Sequence, residues 1–220
     1  MPVVGFRGSA WTPLQMSPYE WWSTTAGITD AGAGRVSSWI GRSASARDLV
    51  QTTNTWRPTT GTRTMGGTNG LDFQQANPDF LTSSATVTFA QEWWLFVVLQ
   101  FDVSLEADNA AGRGLSSFYV GKYVSGKLVF HAGTAAVAGA TTINTSQHSL
   151  AYKFNGASSV LYLDGVSDGT GNPGTTGASA NTLNIGREEA GGTYFDGIMG
   201  DLVIAEGDQS GQLASWTSFC

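Results

Sequence analysis

Two acidic pairs, two histidines and one terminal cysteine are the residues whose types could carry chemistry in this chain. Hydrolysis of a glycosidic bond needs two carboxyls, about 5–5.5 Å apart for retention and further apart for inversion. Glu106 and Asp108 stand two positions apart, but Asn109-Ala110-Ala111-Gly112-Arg113 follows and reads as a loop. Glu188-Glu189 precedes Ala190-Gly191-Gly192 and reads as a solvated loop. His131 follows the strand-like Leu128-Val129-Phe130, and His148 opens the next strand; their spacing makes no metal motif. No Gly-x-Ser-x-Gly elbow supplies an activated serine, and no phosphate-binding loop is present. The single cysteine, Cys220, excludes an intrachain disulfide and a cysteine-based metal site. It reads as a free thiol on a loose tail. The expectation is therefore no enzyme, no cofactor and no metal.

Saccharide binding is harder to exclude, because sugars stack on exposed aromatics beside amides, carboxylates and backbone donors. Trp56, Tyr123 and Tyr194 fall outside the obvious core pattern and are the carbohydrate-binding candidates. Their alternative role is to cap the fold or to sit in a protein interface. Phe6 and Trp11 lie in a Gly- and Pro-punctuated N-terminal stretch and are the assembly-contact candidates.

The elements that must position these residues are short strands. Turn signals such as Gly66-Gly67, Asn69-Gly70, Asn155-Gly156 and Asp164-Gly165 recur about every ten residues between β-branched and aromatic runs. No segment keeps a helical period, except that 212–219 could make one helical turn. About a dozen strands are predicted, in an all-β, two-sheet antiparallel sandwich. Leu150, Tyr152 and Phe154 alternate with Ala151 and Lys153, which suits a half-buried strand. Ile198, Leu202 and Ile204 are read as sharing one face, as are Phe118 and Val120. Segment 93–103 stands out. Trp93, Leu95, Val97, Leu99, Phe101 and Val103 fill one face, while the other runs Trp94, Phe96, Val98 and then Gln100 and Asp102. This predicts a central strand whose second face is covered at one end and open, at a groove, at the other.

Composition narrows the function classes. Charged residues are only 13% of the 220 residues, against roughly 25% in an ordinary soluble domain, so the surface is polar but mostly uncharged. The net charge is −6 and no Lys/Arg cluster exists, which argues against nucleic acid as a partner. The longest apolar run, 93–99, is far too short for a membrane span. No signal peptide is visible at the N-terminus. Residues 1–13 are read as an N-terminal arm or edge strand and 14–220 as a single domain.

The order of several short motifs resembles a known family. L-x-M-S-P-Y-E-W-W (14–22), V-S-S-W-I-G-R-S (36–43), W-R-P (56–58), N-G-L-D-F (69–73), L-Y-L-D-G-V (161–166), L-N-I-G-R (183–187) and Y-F-D-G-I-M-G-D-L-V-I (194–204) together resemble laminin-G-like jelly rolls. Those belong to the concanavalin A-like lectin/glucanase superfamily, and the resemblance covers about residues 14–210. Glucanases of that fold carry Glu-x-Asp-x-x-Glu on one strand, and here Ala111 stands where the last glutamate would be. The resemblance implies core roles for Trp22, Trp39 and Phe73. Asp72 and Asp196 are expected to bond loop amides. Calcium needs six to eight oxygens, and no dense Asp/Asn loop supplies them.

Fold does not give function. Tailed-bacteriophage proteins often carry this form of the jelly roll, so the resemblance implies a virion structural protein: a capsid decoration, head-fibre or tail-associated part assembled in the host cytoplasm. Its partners would be other virion proteins or further copies of itself. Burying Phe6 and Trp11 at such contacts would contribute several kcal/mol per subunit, at about 25 cal/mol per Å². The alternative is a carbohydrate-binding adhesion module for host-surface glycans.

Overall fold

The computed structural model describes residues 11–45, 47–105, 107–113 (Arg113 by its backbone), 118–123, 125–175, 182–188 and 193–220. Phe6 and the other residues of 1–10, together with Glu106 and Glu189, lie outside the described residues. In chain order the strands are β1 (Glu20–Trp22), β2 (Ile28–Asp30), β3 (Val36–Trp39), β4 (Leu49–Val50), β5 (Thr59–Met65), β6 (Thr68–Phe73), β7 (Leu81–Ser83), β8 (Trp93–Phe101), β9 (Asp108–Arg113), β10 (Tyr119–Lys122), β11 (Lys127–His131), β12 (Val137–Thr142), β13 (His148–Phe154), β14 (Ser159–Leu163), β15 (Val166–Gly171), β16 (Leu183–Ile185) and β17 (Gly197–Glu206). The surplus over a dozen comes from pieces as short as β4, which pairing reveals and composition does not.

The strands form two antiparallel sheets. The first runs β15-β14-β13-β8-β17-β6-β5, with β1 also beside β17; the second runs β12-β11-β10-β9-β16-β7-β4-β3-β2. Between them lies one apolar core that includes Trp22, Trp39, Phe73, Trp93, Phe130 and Phe154, all fully buried. Trp93 stacks on Phe154 with ring centroids 4.0 Å apart. Asp164 and Gly165 both take positive φ (50° and 80°), so the β14–β15 hairpin is the expected two-residue turn.

Four local readings need correction. Asn69-Gly70 lies inside β6; the turn before it is Gly66-Gly67, with φ of 57° and 84°. The segment 109–113 is not a loop but most of β9. Its alanines 110 and 111 are buried, and small side chains let it pair with both β10 and β16. Val103 is 43% exposed because β8 stops at Phe101. Finally, Ile198 does not share a face with Leu202 and Ile204. Against β8, Met199 pairs with Leu99 and Leu202 with Val97, so Gly200 and Asp201 both stand opposite Val98. That β-bulge shifts the alternation, leaving Leu202 and Ile204 in the inter-sheet core and Ile198 on the outer face.

The outer face of the first sheet is itself apolar where a C-terminal helix covers it. Helix α1 (Leu213–Phe219) sets Trp216, fully buried, against Phe96 at 5.5 Å between ring centroids. Trp94, Val203 and Ala205 belong to the same cluster. Cys220 is therefore not on a loose tail: its thiol donates to the Trp216 carbonyl, and burial pushes its pKa up to about 12. Residues 11–13 of the expected arm also lie on the body. The Trp11 indole N–H donates to Gln212 Oε1 at 3.0 Å, and its ring meets Phe219 edge-on at 5.6 Å.

Candidate functional site

Beside the C-terminal end of α1, the outer face of the first sheet opens into a cavity of about 430 Å³. Its apolar floor is Val98 of β8 and Met65 at the end of β5, with Gly200 of the bulge between them. One wall is the end of β1 and the loop after it, from Trp21 to Thr25; Arg42 stands on the rim. Phe219, the last residue of α1, is 39% exposed and lies at the mouth. The groove therefore sits where the outer face of β8 passes from Phe96 to Gln100.

The bulge is what brings a charge here. An extra residue in one strand re-aims the side chains beside it. Asp201, in an otherwise apolar strand, accepts the Trp21 indole N–H at 3.1 Å on Oδ2 and the Thr24 amide at 3.0 Å on Oδ1. Burial raises its pKa above the ordinary carboxylate value, opposed by the Thr24 and Trp21 hydrogen bonds and by the charge of Arg42. Arg42 holds its guanidinium carbon 4.2 Å above the Trp21 ring, a cation–π contact that also fixes its orientation. Gln147 donates from Nε2 to the backbone oxygen of Cys220 at 2.9 Å and also borders the cavity, as do Thr24 and Thr68. Together these groups offer hydroxyls, an amide, a carboxylate and a guanidinium around an apolar base.

The residues singled out in the sequence lie elsewhere. Trp56 ends a 3-10 turn, is 42% exposed, and packs on Phe80 at 5.8 Å. Arg187 lies over the other partner of that pair, 3.4 Å above the Phe80 ring, and its backbone bridges to Tyr194. Trp56 and Tyr194 are thus connected through Phe80 and Arg187. Tyr123 stands at the turn after β10, close to Tyr119, whose ring stacks on His131 at 5.1 Å. Asp108 is buried in an ion pair with Lys122 (2.7 Å) and accepts the Asp196 amide at 2.9 Å. Asp196 accepts the Gln75 amide, as expected, whereas Asp72 takes side-chain donors from Thr62, Arg63 and Gln74. Glu188 accepts from Asn109 at 3.2 Å. His148 is buried between Asp164 and Asn144. Among the described residues no group of three or more His, Cys, Asp or Glu is placed to hold a metal ion.

Sequence reasoning passed over Trp21, Arg42 and Asp201. One signal was available: a Gly-Asp step inside the apolar run Ile198–Ile204 interrupts the alternation and puts a carboxylate where burial must be compensated.

No protein-family model and no curated protein matches this chain. Solved structures do. Domain 4 of AbnA, a GH43 extracellular arabinanase from Geobacillus stearothermophilus solved with arabinotriose, superposes with a TM-score of 0.64 at 12% identity, over 91% of this chain and 98% of that one. Trypanosoma rangeli sialidase in complex with sialic acid gives 0.60 at 15% identity, over 90% of this chain but only 32% of the sialidase. The native heptameric SAP-like pentraxin from Limulus polyphemus gives 0.51 at 16% identity, over 61% of this chain and 73% of that one. This chain thus spans about a third of the sialidase it matches. The likeness shows the fold: a two-sheet antiparallel β-sandwich of the jelly-roll type.

Proposed function

We propose that this chain is a non-catalytic glycan-binding module whose saccharide site is the cavity on the first sheet's outer face. One observation carries the reading: the bulge in β17 delivers the Asp201 carboxylate to the side of an apolar-floored cavity of about 430 Å³. A pyranose has the matching character. Its C–H face needs apolar surface, supplied by Val98 and Met65, with Phe219 at the mouth for stacking. Its hydroxyls need donors and acceptors, supplied by Thr24, Thr68, Gln147 and Asp201. The arabinanase domain, solved with arabinotriose, supports a saccharide role on this architecture.

A glycan array probed with the whole chain tests this, followed by titration of the best glycan. Val98→Trp, which fills the floor, and Phe219→Ala, which is mild for the fold, should each weaken binding at least tenfold. Trp56→Ala and Tyr194→Ala should leave it within twofold. The reverse pattern would move the site to the end of the sandwich where Trp56 and Tyr194 lie. An array without a single bound glycan would sink the reading.

A second reading, a structural part of a tailed-phage virion, is favoured by a different surface. Val103, Leu105 and Tyr123 are exposed apolar side chains, and Leu105 lies beside the Tyr123–Gly126 turn. Such a patch suits protein contacts to neighbouring subunits. Co-purification with intact particles, at fixed stoichiometry to the shell protein, would support it; its absence from purified particles would refute it.

A further inference from the structure

Resting on the glycan-binding reading, we propose that the cavity selects acidic saccharides, with Arg42 taking the sugar's carboxylate. The case begins with what Arg42 does not do. It is an exposed side chain on the cavity rim, and among the described residues no ion pair or side-chain hydrogen bond uses its guanidinium. Yet it is not loose. Its backbone amide donates to the Trp21 carbonyl at 2.8 Å, and its guanidinium lies 4.2 Å over the Trp21 ring. A stacked guanidinium is pre-oriented, so less freedom is lost when its fork of donors closes on a planar anion. Carboxylates fit that fork with two parallel hydrogen bonds.

The carboxylate already present does not take this role. Asp201 and Arg42 feel each other's charge without forming an ion pair, and both Asp201 oxygens accept from Trp21 and Thr24. Among the other side chains of the lining, Thr24, Thr25, Thr68 and Gln147 suit sugar hydroxyls, and Val98 and Met65 suit a ring face. A guanidinium without an ion-pair partner among the described residues, set beside hydroxyls and an apolar floor, suits a sugar acid better than a neutral sugar.

Calorimetric titration of the full chain tests this with three pairs of probes: the methyl glycosides of glucuronate, galacturonate and N-acetylneuraminate, each against its methyl ester. The ester keeps the ring and removes the charge. At least one acid should bind ten or more times more tightly than its ester. Arg42→Gln should bring that ratio below two, while Arg42→Lys, which keeps the charge but not the fork, should leave an intermediate ratio. Near-UV circular dichroism of the variants checks that the Trp21 environment is intact. Equal binding of acid and ester, or an Arg42→Gln variant that keeps the preference, would overturn the acidic specificity and leave glycan binding standing. No binding of any acid, any ester or any arrayed neutral glycan would overturn both.

Discussion

The Trp21 indole N–H and the Asp201 carboxylate meet at 3.1 Å across 180 residues of sequence, tying the first strand of the sandwich to the bulge in the last. The same carboxylate receives the Thr24 amide, so one side chain closes the loop after β1 and shapes one wall of the cavity. Electrostatics and architecture are joined here: without the bulge, no acidic group would lie beside Val98.

Asp201→Ala removes that shared acceptor. Two donors, the buried Trp21 indole and the part-buried Thr24 amide, lose their partner, and an unsatisfied buried group costs about 1–3 kcal/mol. A loss of roughly 2–4 kcal/mol is expected in urea unfolding followed by tryptophan fluorescence. Asp201→Asn retains one accepting oxygen and should lose about half as much. Equal losses for the two variants would mean that the charge, and not the hydrogen bonding, holds the loop.

Trp216→Ala should be costlier. Trp216 is fully buried between α1 and the outer face of the first sheet, beside Phe96, and truncating a buried large aromatic costs about 3–5 kcal/mol. With its anchor gone, α1 should detach locally. Amide hydrogen exchange would show it as lost protection at 213–219 with β8 still protected. Retained protection in the helix would contradict the anchoring role.

Asp79 makes stability depend on pH. Its side chain is fully buried, Arg35 lies 3.6 Å away, and burial raises its pKa from 3.8 to about 7. Between those values the folded state holds a proton that the unfolded state has released, so stability falls as pH rises from about 4 to 7 and then levels off. The separation sets a ceiling of about 4 kcal/mol. Asp79→Asn cannot ionise, so its stability relative to the unsubstituted chain should climb over that interval. A difference that stays flat from pH 4 to 7 would show that Asp79 ionises normally in the fold.

Much of this architecture was written in short-range pattern. The alternation of 150–154, the Asp164-Gly165 turn and the doubly apolar run of 93–99 each follow from a local rule, and the structure has them. The groove was legible only in part: β8 changes from apolar to polar on one face beyond Val98, but the cavity is floored by Val98 itself, and Gln100 and Asp102 are not among its lining residues. What covers the face was not legible, because α1 reaches it through tertiary packing of Trp216 and no local signal says where a short terminal helix docks. The bulge hid the site residues. A period-2 reading carried Ile198 onto the face of Leu202, and the extra residue became visible only in the pairing with β8. Trp56 and Tyr194 were chosen as aromatics outside the core pattern, which cannot tell a lone exposed ring from one packed on Phe80 or linked to Arg187.

The Lys122–Asp108 pair allows a sharper test of how the far end of the sandwich is held. Both side chains are buried, at 2.7 Å, and Asp108 also accepts the Asp196 amide just before β17. Burial raises the Asp108 pKa, opposed by the hydrogen bond and charge of Lys122 and by the Asp196 amide. Lys122→Met strands an acid in the interior and should cost about 3–5 kcal/mol at pH 7. The loss should shrink as pH falls and the stranded Asp108 takes up a proton. Adding Asp108→Asn removes the stranded charge and keeps an oxygen for the Asp196 amide, so the double variant should be more stable than Lys122→Met alone. A double variant that is less stable, as simple addition of two losses requires, would show that the pair is not coupled and that Asp108 acts through its contact with the Asp196 amide alone.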